Sequence, residues 1–251
     1  MKYSKEELMV VTGAREIKDY DKVLVGIGLP MACAILAKLT HAPHSVIFFE
    51  NGVVDPKSTD YGVGLADLKA WSGASYYTGT LEVMGYMLHG GKFDVGFVGV
   101  LEVDMYGNVN STIVEVNGKP RHFTGSGGGN DIVSLARKII VITRHEKRKI
   151  KEKVFYVTSP GYIGGRDRRE VGLRGGDIVV ITDMAVLKFN KNKGKMDVVS
   201  IHPGIKIEEV INNTGFPLEI PSDVPTTPEP TEHELKVLRE KVPATLYSKS
   251  L

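Results

Sequence analysis

Lys22-Val23-Leu24-Val25-Gly26-Ile27-Gly28-Leu29-Pro30 opens the stretch that decides the fold. A short strand over 22–25, apolar at Val23-Leu24-Val25, meets a glycine-rich turn, and a small-residue helix follows over 31–39. Pro30 suits the first turn of that helix, where its missing N–H has no intrahelical partner to lose. Ser45-Val46-Ile47-Phe48-Phe49 is then apolar throughout, as in a parallel strand covered on both faces, and Glu50-Asn51-Gly52 ends it. The order is strand, turn, helix, strand, and Glu50 falls at a strand's carboxyl end.

Outward from this unit the pattern repeats. Residues 81–88 read as a helix that stops at Gly90-Gly91, and 94–100 as a strand ending near Glu102 and Asp104. A turn at Tyr106-Gly107-Asn108 follows, then a glycine-rich loop, Thr124-Gly125-Ser126-Gly127-Gly128-Gly129-Asn130-Asp131, leading into a helix that runs to Lys138. Strands are expected at 139–143 and 178–182, a hairpin around 190–195 and a helix at 206–212. Residues 221–230, rich in Pro and Thr, should cross the surface in extended form before a charged helix at 232–241. The expected fold is α/β: a single domain over 1–251, with a mostly parallel doubly wound sheet flanked by helices, a late β-hairpin and an extended tail from 221.

The 251 residues suffice for one sizeable core, and 42% are hydrophobic. Charge is almost balanced, 32 Lys+Arg against 30 Asp+Glu, so no global field draws the chain to nucleic acid or membrane. A single cysteine, Cys33, excludes an internal disulfide and a thiolate cage; its neighbours Ala32, Ala34 and Ile35 mark it as a buried structural thiol. Residues 1–7 are charged, and no segment reaches the length of a membrane span, so a cytoplasmic location is expected.

Open parallel sheets bind ligands at the carboxyl ends of their strands, which puts Glu50 and the loop at Gly125 to Asn130 forward as a site. A glutamate carboxylate is ionised near neutral pH and can attack an activated carbonyl; Gly127 and Gly128 can aim backbone N–H groups at a developing oxyanion. The plainer readings are a solvated turn for Glu50 before Asn-Gly, and tight packing for the glycines. A dinucleotide fingerprint at Gly26-Ile27-Gly28 fails, because its third glycine position is Met31 and Pro30 removes a donor. His145-Glu146-Lys147-Arg148-Lys149 lacks the second histidine of a zinc helix and, with Lys151 and Lys153, reads as a solvated basic face. His41, His44 and His202 read as turn or core residues, so no metal is assigned. The nucleophile elbow of a serine hydrolase is absent, Gly125-Ser126-Gly127 being half of the pattern.

Taken in order, Gly26-Ile27-Gly28-Leu29-Pro30, Phe49-Glu50-Asn51-Gly52, Gly125-Ser126-Gly127-Gly128-Gly129-Asn130-Asp131 and Thr158-Ser159-Pro160-Gly161-Tyr162 resemble the class I CoA-transferase family, its beta subunit, and most closely the glutaconate CoA-transferase type. His202-Pro203-Gly204 and Asn213-Thr214-Gly215-Phe216 also look like that subunit. The chain departs from many members at Phe49, where they carry serine, and after Gly52, where they continue with glycines. The resemblance implies Glu50 as the nucleophile, Gly127 and Gly128 as oxyanion donors, and Gly26, Gly28, Asn51, Gly52, Gly125, Ser126, Gly129 and Asn130 as residues around acyl-CoA. It implies CoA as a substrate with no permanently bound cofactor, a glutamyl-CoA thioester intermediate, and an alpha subunit of similar size in a hetero-oligomer such as α2β2. The alternatives are a CoA-thioester hydrolase, including the ring-cleaving type whose members tend to lack this glutamate, and a non-catalytic acyl-CoA-binding subunit.

Overall fold

Strand β1 (Lys22–Leu24) pairs in parallel with β2 (Val46–Phe48), Leu24 opposite Phe48. The computed structural model describes residues 2–58, 60–62, 64–174 and 176–248, and its contacts gather into two compact units: Met1–Val98 with Glu229–Leu251, and Gly99–Pro228. The fold is α/β in both, with parallel pairs inside the sheets and antiparallel strands outside them.

In the first unit, α1 (Lys5–Arg15) starts at a capping box, Ser4 accepting from the Glu7 N–H and Glu7 from the Ser4 N–H. Its Met9, Val10 and Val11 are fully buried, and it packs on α2 (Leu29–Leu39), whose first turn holds Pro30 as expected. Cys33 on α2 is buried, and desolvation pushes its thiol well up, so it is inert packing. Beyond β2, β3 (Val53–Val54) turns back antiparallel, and β4 (Tyr76–Tyr77) follows antiparallel to β3. This return departs from the repeated strand–helix pattern read from the sequence: Asn51-Gly52 marks the turn, but strands of two residues carry no pattern of their own. Leu81–Leu88 is helical as expected, but winds as a π-helix, before β5 (Val95–Gly99) joins β1 in parallel.

The C-terminal helix, Glu232–Lys241, lies where the sequence put it and is clasped to α1 by two arginine–carboxylate pairs. Arg15 donates to both oxygens of Glu234 at 2.9 and 2.7 Å, and Arg239 to both of Glu7 at 2.6 and 2.9 Å. The Arg239 guanidinium holds the Glu7 carboxyl below its usual range.

The second unit begins with β6 (Glu102–Asp104) and β7 (Val109–Asn110), antiparallel, and an exposed hairpin, β8 (Ile113–Val116) with β9 (Lys119–His122). Helix α3 (Gly129–Leu135) is shorter than expected, because Lys138 already opens β10 (Lys138–Ile142). After β11 (Ile150–Lys151), parallel to β6, comes β12 (Asp177–Ile181), parallel to β10. The late hairpin is β13 (Ala185–Asn190) with β14 (Lys195–Ile201), and α4 (Ile207–Asn212) follows. The Pro/Thr tail does more than cross the surface. Thr227 is buried, its N–H donates to Ile201 O at 2.8 Å, and its hydroxyl meets His202 Nδ1 and Ser200 Oγ.

His145 corrects the reading of a solvated basic face. It is buried, with Nδ1 2.9 Å from Thr182 Oγ1 and Nε2 2.9 Å from Thr214 Oγ1, so both ring nitrogens face threonine hydroxyls. Burial pushes its pKa down to about 4, more than the carboxylate of Asp183 raises it. The folded chain therefore resists protonation at a site that, unfolded, protonates near 6.5. Its contribution to stability is full above pH 6.5 and is lost as pH falls towards 4, by up to about 1.4 kcal/mol per pH unit. Denaturant unfolding at pH 7 and pH 5 should show this loss, and His145→Gln should flatten it; an unchanged pH slope in the variant would exclude His145 as its source.

Candidate active site

The Glu50 turn is a closed hairpin. The Phe49 N–H donates to Val53 O at 2.9 Å and the Gly52 N–H to Phe49 O at 3.1 Å, which leaves Glu50 and Asn51 at the tip. Phe49, with its side chain buried, anchors the near side of the turn. Glu50 is half-buried, and among the described residues no hydrogen bond or ion pair engages its carboxylate.

Three contacts fix this tip. Asn51 Nδ2 donates to Leu65 O at 2.7 Å, the carbonyl that also receives Trp71 Nε1 at 2.7 Å, while Asn51 Oδ1 accepts from the Val53 N–H. Thr78 N–H donates to Gly52 O at 2.9 Å. Gly52 itself has φ +97°, and a Cβ there would stand 2.1 Å from Thr78 O, so no side chain fits. Leu65, Trp71 and Thr78 were not legible as parts of the site, because nothing local marks a carbonyl that will be used by residues far along the chain. Asn51→Ala removes both side-chain bonds, and a loss of roughly 1–3 kcal/mol is expected. Thermal unfolding checks it, and an unchanged melting temperature would show that the brace is idle.

Gly26 and Gly28 stand beside this turn. The Val25 N–H donates to Phe48 O at 3.0 Å, so the chain leaves β1 and β2 at adjacent carboxyl ends, where parallel sheets place ligands. Gly28, at φ +99°, is the N-cap of α2, and the space in front of Gly26 is open.

The glycine loop belongs to the second unit. Ser111 grips Gly125 from both sides, its hydroxyl donating to Gly125 O at 2.7 Å and its carbonyl accepting the Gly125 N–H at 3.1 Å. Ser126 Oγ accepts the Asn130 N–H at 3.1 Å and Ser126 O the Gly129 N–H at 2.8 Å, which closes the entry to α3. Gly127 and Gly128 lie between these anchors, and among the described residues no acceptor takes either N–H. Asn130 Nδ2 donates to Thr158 O at 2.8 Å. Thr158 Oγ1 accepts the Ser111 N–H, and Asn110 beyond it donates to Glu102 Oε2 at 2.7 Å. Glu102 is buried and paired with Lys151 at 2.7 Å. Arg168, wholly buried, donates to the carbonyls of Pro160, Gly161 and Val133, tying the segment after Thr158 to α3. Burial, partly offset by bonds from Asn108, raises the Asp104 carboxyl. Of this network, the sequence singled out the Thr158 segment and the acidic strand end but gave them no role.

A cavity of about 790 Å³ in the second unit is lined by Lys147, Lys151 and Lys153 together with Asp104, Tyr106 and Asn108. Among the described residues no group of three or more His, Cys, Asp or Glu could hold a metal, and no helix is long and apolar enough to cross a membrane.

The family model described as coenzyme A transferase matches residues 7–213. The beta chain of the 3-oxoadipate CoA-transferase of Pseudomonas knackmussii is 36% identical over 94% of this chain and 92% of its own. The beta chain of the glutaconate CoA-transferase of Acidaminococcus fermentans is 35% identical over 96% of this chain and 92% of its own. The crystal structure of glutaconate coenzyme A-transferase from the same organism superposes with a TM-score of 0.86 at 33% identity, covering 98% of this chain and 97% of that one. The chain belongs to the class I coenzyme A transferase family, on its beta-subunit side. CoA is accordingly a substrate of the family.

Proposed function

We propose that this chain is the catalytic beta subunit of an enzyme that moves CoA from an acyl-CoA to a carboxylate acceptor, with Glu50 as the nucleophile and an alpha subunit as obligatory partner. The observation that carries this reading is the Glu50 turn: a half-buried carboxylate without an intramolecular partner among the described residues, on a tip locked by Asn51, Gly52 and Thr78. One oxygen of Glu50 attacks the thioester carbon and expels CoA thiolate, giving a mixed anhydride. The thiolate attacks the glutamyl carbonyl and releases the donor acid, leaving glutamyl-CoA. The acceptor carboxylate reverses the sequence and leaves as its CoA thioester. A serine ester would trap the acyl group in a well, whereas an anhydride keeps it reactive towards thiolate. One thioester replaces another, so no ATP is required.

The N–H groups of Gly127 and Gly128 suit the tetrahedral oxyanion, one such donor lowering a barrier by roughly 3 kcal/mol. Lys147 and Lys153 offer positive charge to the phosphates of CoA. Both relatives compared above are named for dicarboxylates, which puts short dicarboxylic acyl-CoA esters first among donors to test.

The test is chemical trapping. With the alpha subunit and acyl-CoA present, borohydride should reduce, and hydroxylamine should convert, a thioester on Glu50, found by peptide mass spectrometry. Acid release that ignores the acceptor would favour hydrolysis; acyl-CoA binding with no adduct, unaffected by Glu50→Ala, would reduce the chain to a binding role.

A further inference from the structure

Asp55, the residue after β3, has φ +50°, in the left-handed region that a residue with a Cβ seldom occupies. Pro56 follows and restricts the backbone before it further. A conformation this costly persists only where its surroundings over-determine it, and such positions cluster at functional sites. Glu50 lies five residues earlier, on the same hairpin.

What holds Asp55 is its carboxylate. Along the hairpin Phe49 faces Val53, Phe48 faces Val54 and Ile47 faces Asp55. A hydrogen-bonded pair in an antiparallel ladder exchanges two backbone bonds. Here the Asp55 N–H donates to Ile47 O at 2.7 Å, but the returning bond, from the Ile47 N–H, goes to the side-chain Oδ1 of Asp55 at 2.9 Å. The other oxygen, Oδ2, accepts from Lys38 Nζ at 3.0 Å, and the same ammonium donates to Ser45 O. Lys38 belongs to the last turn of α2, whose Met31, Ala32, Cys33 and Ala37 are fully buried. One carboxylate thereby joins α2, the entry to β2 and the exit from β3. The side chains of Lys38 and Asp55 are 28% and 16% exposed, so the pair is largely withdrawn from water.

We infer that Asp55, gripped by Lys38, is a positioning residue for Glu50, an inference that rests on the transfer reading above. Asp55 sits at the base of the hairpin, about 10 Å along the strand from its tip, and so reaches no reacting atom. It acts through register. Strands of three and two residues share few ladder bonds, and a slip of one residue would turn every side chain to the opposite face. Asn51, Gly52 and Thr78 shape the tip, whereas the Lys38–Asp55 pair ties the hairpin to α2. For stability alone glycine would suit this backbone better, and asparagine takes it readily. Asparagine has one oxygen and would offer Lys38 an amide N–H; aspartate alone accepts from Ile47 and Lys38 at once.

The test uses the chain paired with its alpha subunit and compares Asp55→Gly, Asp55→Asn and Lys38→Met. Glycine relieves the strain while deleting both carboxylate bonds, so the melting temperature should stay within about 4 °C of the parent. The kcat for CoA transfer should nonetheless fall about thirty-fold or more, with KM for acyl-CoA moved by at most about threefold. Asp55→Asn and Lys38→Met each keep the bond to Ile47 and lose the one between them, so each should cost about fivefold and the double variant no more. Lys38→Met also leaves the Asp55 backbone untouched, which guards against a glycine variant that fails to fold. Hydrogen exchange at the Ile47 amide should quicken in Asp55→Gly. A purely stabilising role predicts instead that activity follows the folded fraction seen by circular dichroism. An unchanged kcat in folded Asp55→Gly overturns the inference, as do single effects that multiply in the double variant; the transfer reading survives both. A parent that yields no trapped adduct on Glu50 overturns the transfer reading, and this inference with it.

Discussion

Glu50→Ala should lower CoA transfer by about four orders of magnitude or more while the chain stays folded and still pairs with its alpha subunit. The size follows from the proposed transfer chemistry, in which the substitution removes the nucleophile, since losing a nucleophile costs far more than losing any single oriented donor. The stability of the variant should lie within about 0.5 kcal/mol of the parent. Glu50 is half-buried and, among the described residues, has no hydrogen bond to lose. Glu50→Asp separates position from chemistry: the nucleophile remains but is withdrawn by one methylene, and displacements of this order cost about a hundredfold. Glu50→Gln keeps the length and loses the charge, so it should resemble alanine. The measurement is initial-rate CoA exchange between an acyl-CoA and a labelled carboxylate. An alanine variant retaining a tenth of the parent rate would remove Glu50 from the chemistry.

What the sequence disclosed about this fold is the part governed by short-range physics. Apolar runs bounded by glycine and proline located β1, α2, β2, β10 and β12, and the capped charged tail located the C-terminal helix. What stayed hidden depends on partners far along the chain. Val53–Val54 and Tyr76–Tyr77 are two-residue strands, too short to carry an alternating pattern; Asn51-Gly52 marked a turn after Glu50, but not that the chain would pair back on its own strand. His145 sits in a run of charges, yet its ring is claimed by Thr182 and Thr214, residues 37 and 69 positions away. The candidate site divides in the same way. Glu50 and the glycine loop were visible as motifs, whereas Leu65, Thr78 and Ser111, which hold those motifs in shape, have no signature of their own.

Gly52→Ala should destabilise the first unit by about 3–5 kcal/mol, of the size reserved for backbone strain and steric conflict. Two separate penalties combine. At φ +97° an L side chain is strained whatever the space around it, and the added Cβ would lie 2.1 Å from the Thr78 carbonyl oxygen and 2.9 Å from the Gly79 nitrogen. These are backbone atoms, so the conflict is relieved only if the 78–79 segment moves, which breaks the Thr78 to Gly52 hydrogen bond. The turn would then shift Glu50, and the same substitution should cut transfer about a hundredfold in whatever fraction remains folded. Gly26→Ala is the matched comparison, since a Cβ there meets nothing within 4 Å and its φ is not in the left-handed range. Melting curves should therefore show a drop of roughly 10 °C for Gly52→Ala and almost none for Gly26→Ala. If Gly52→Ala melts within about 2 °C of the parent, the hairpin tip is not held against Thr78, and the rigid placement of Glu50 loses its physical basis.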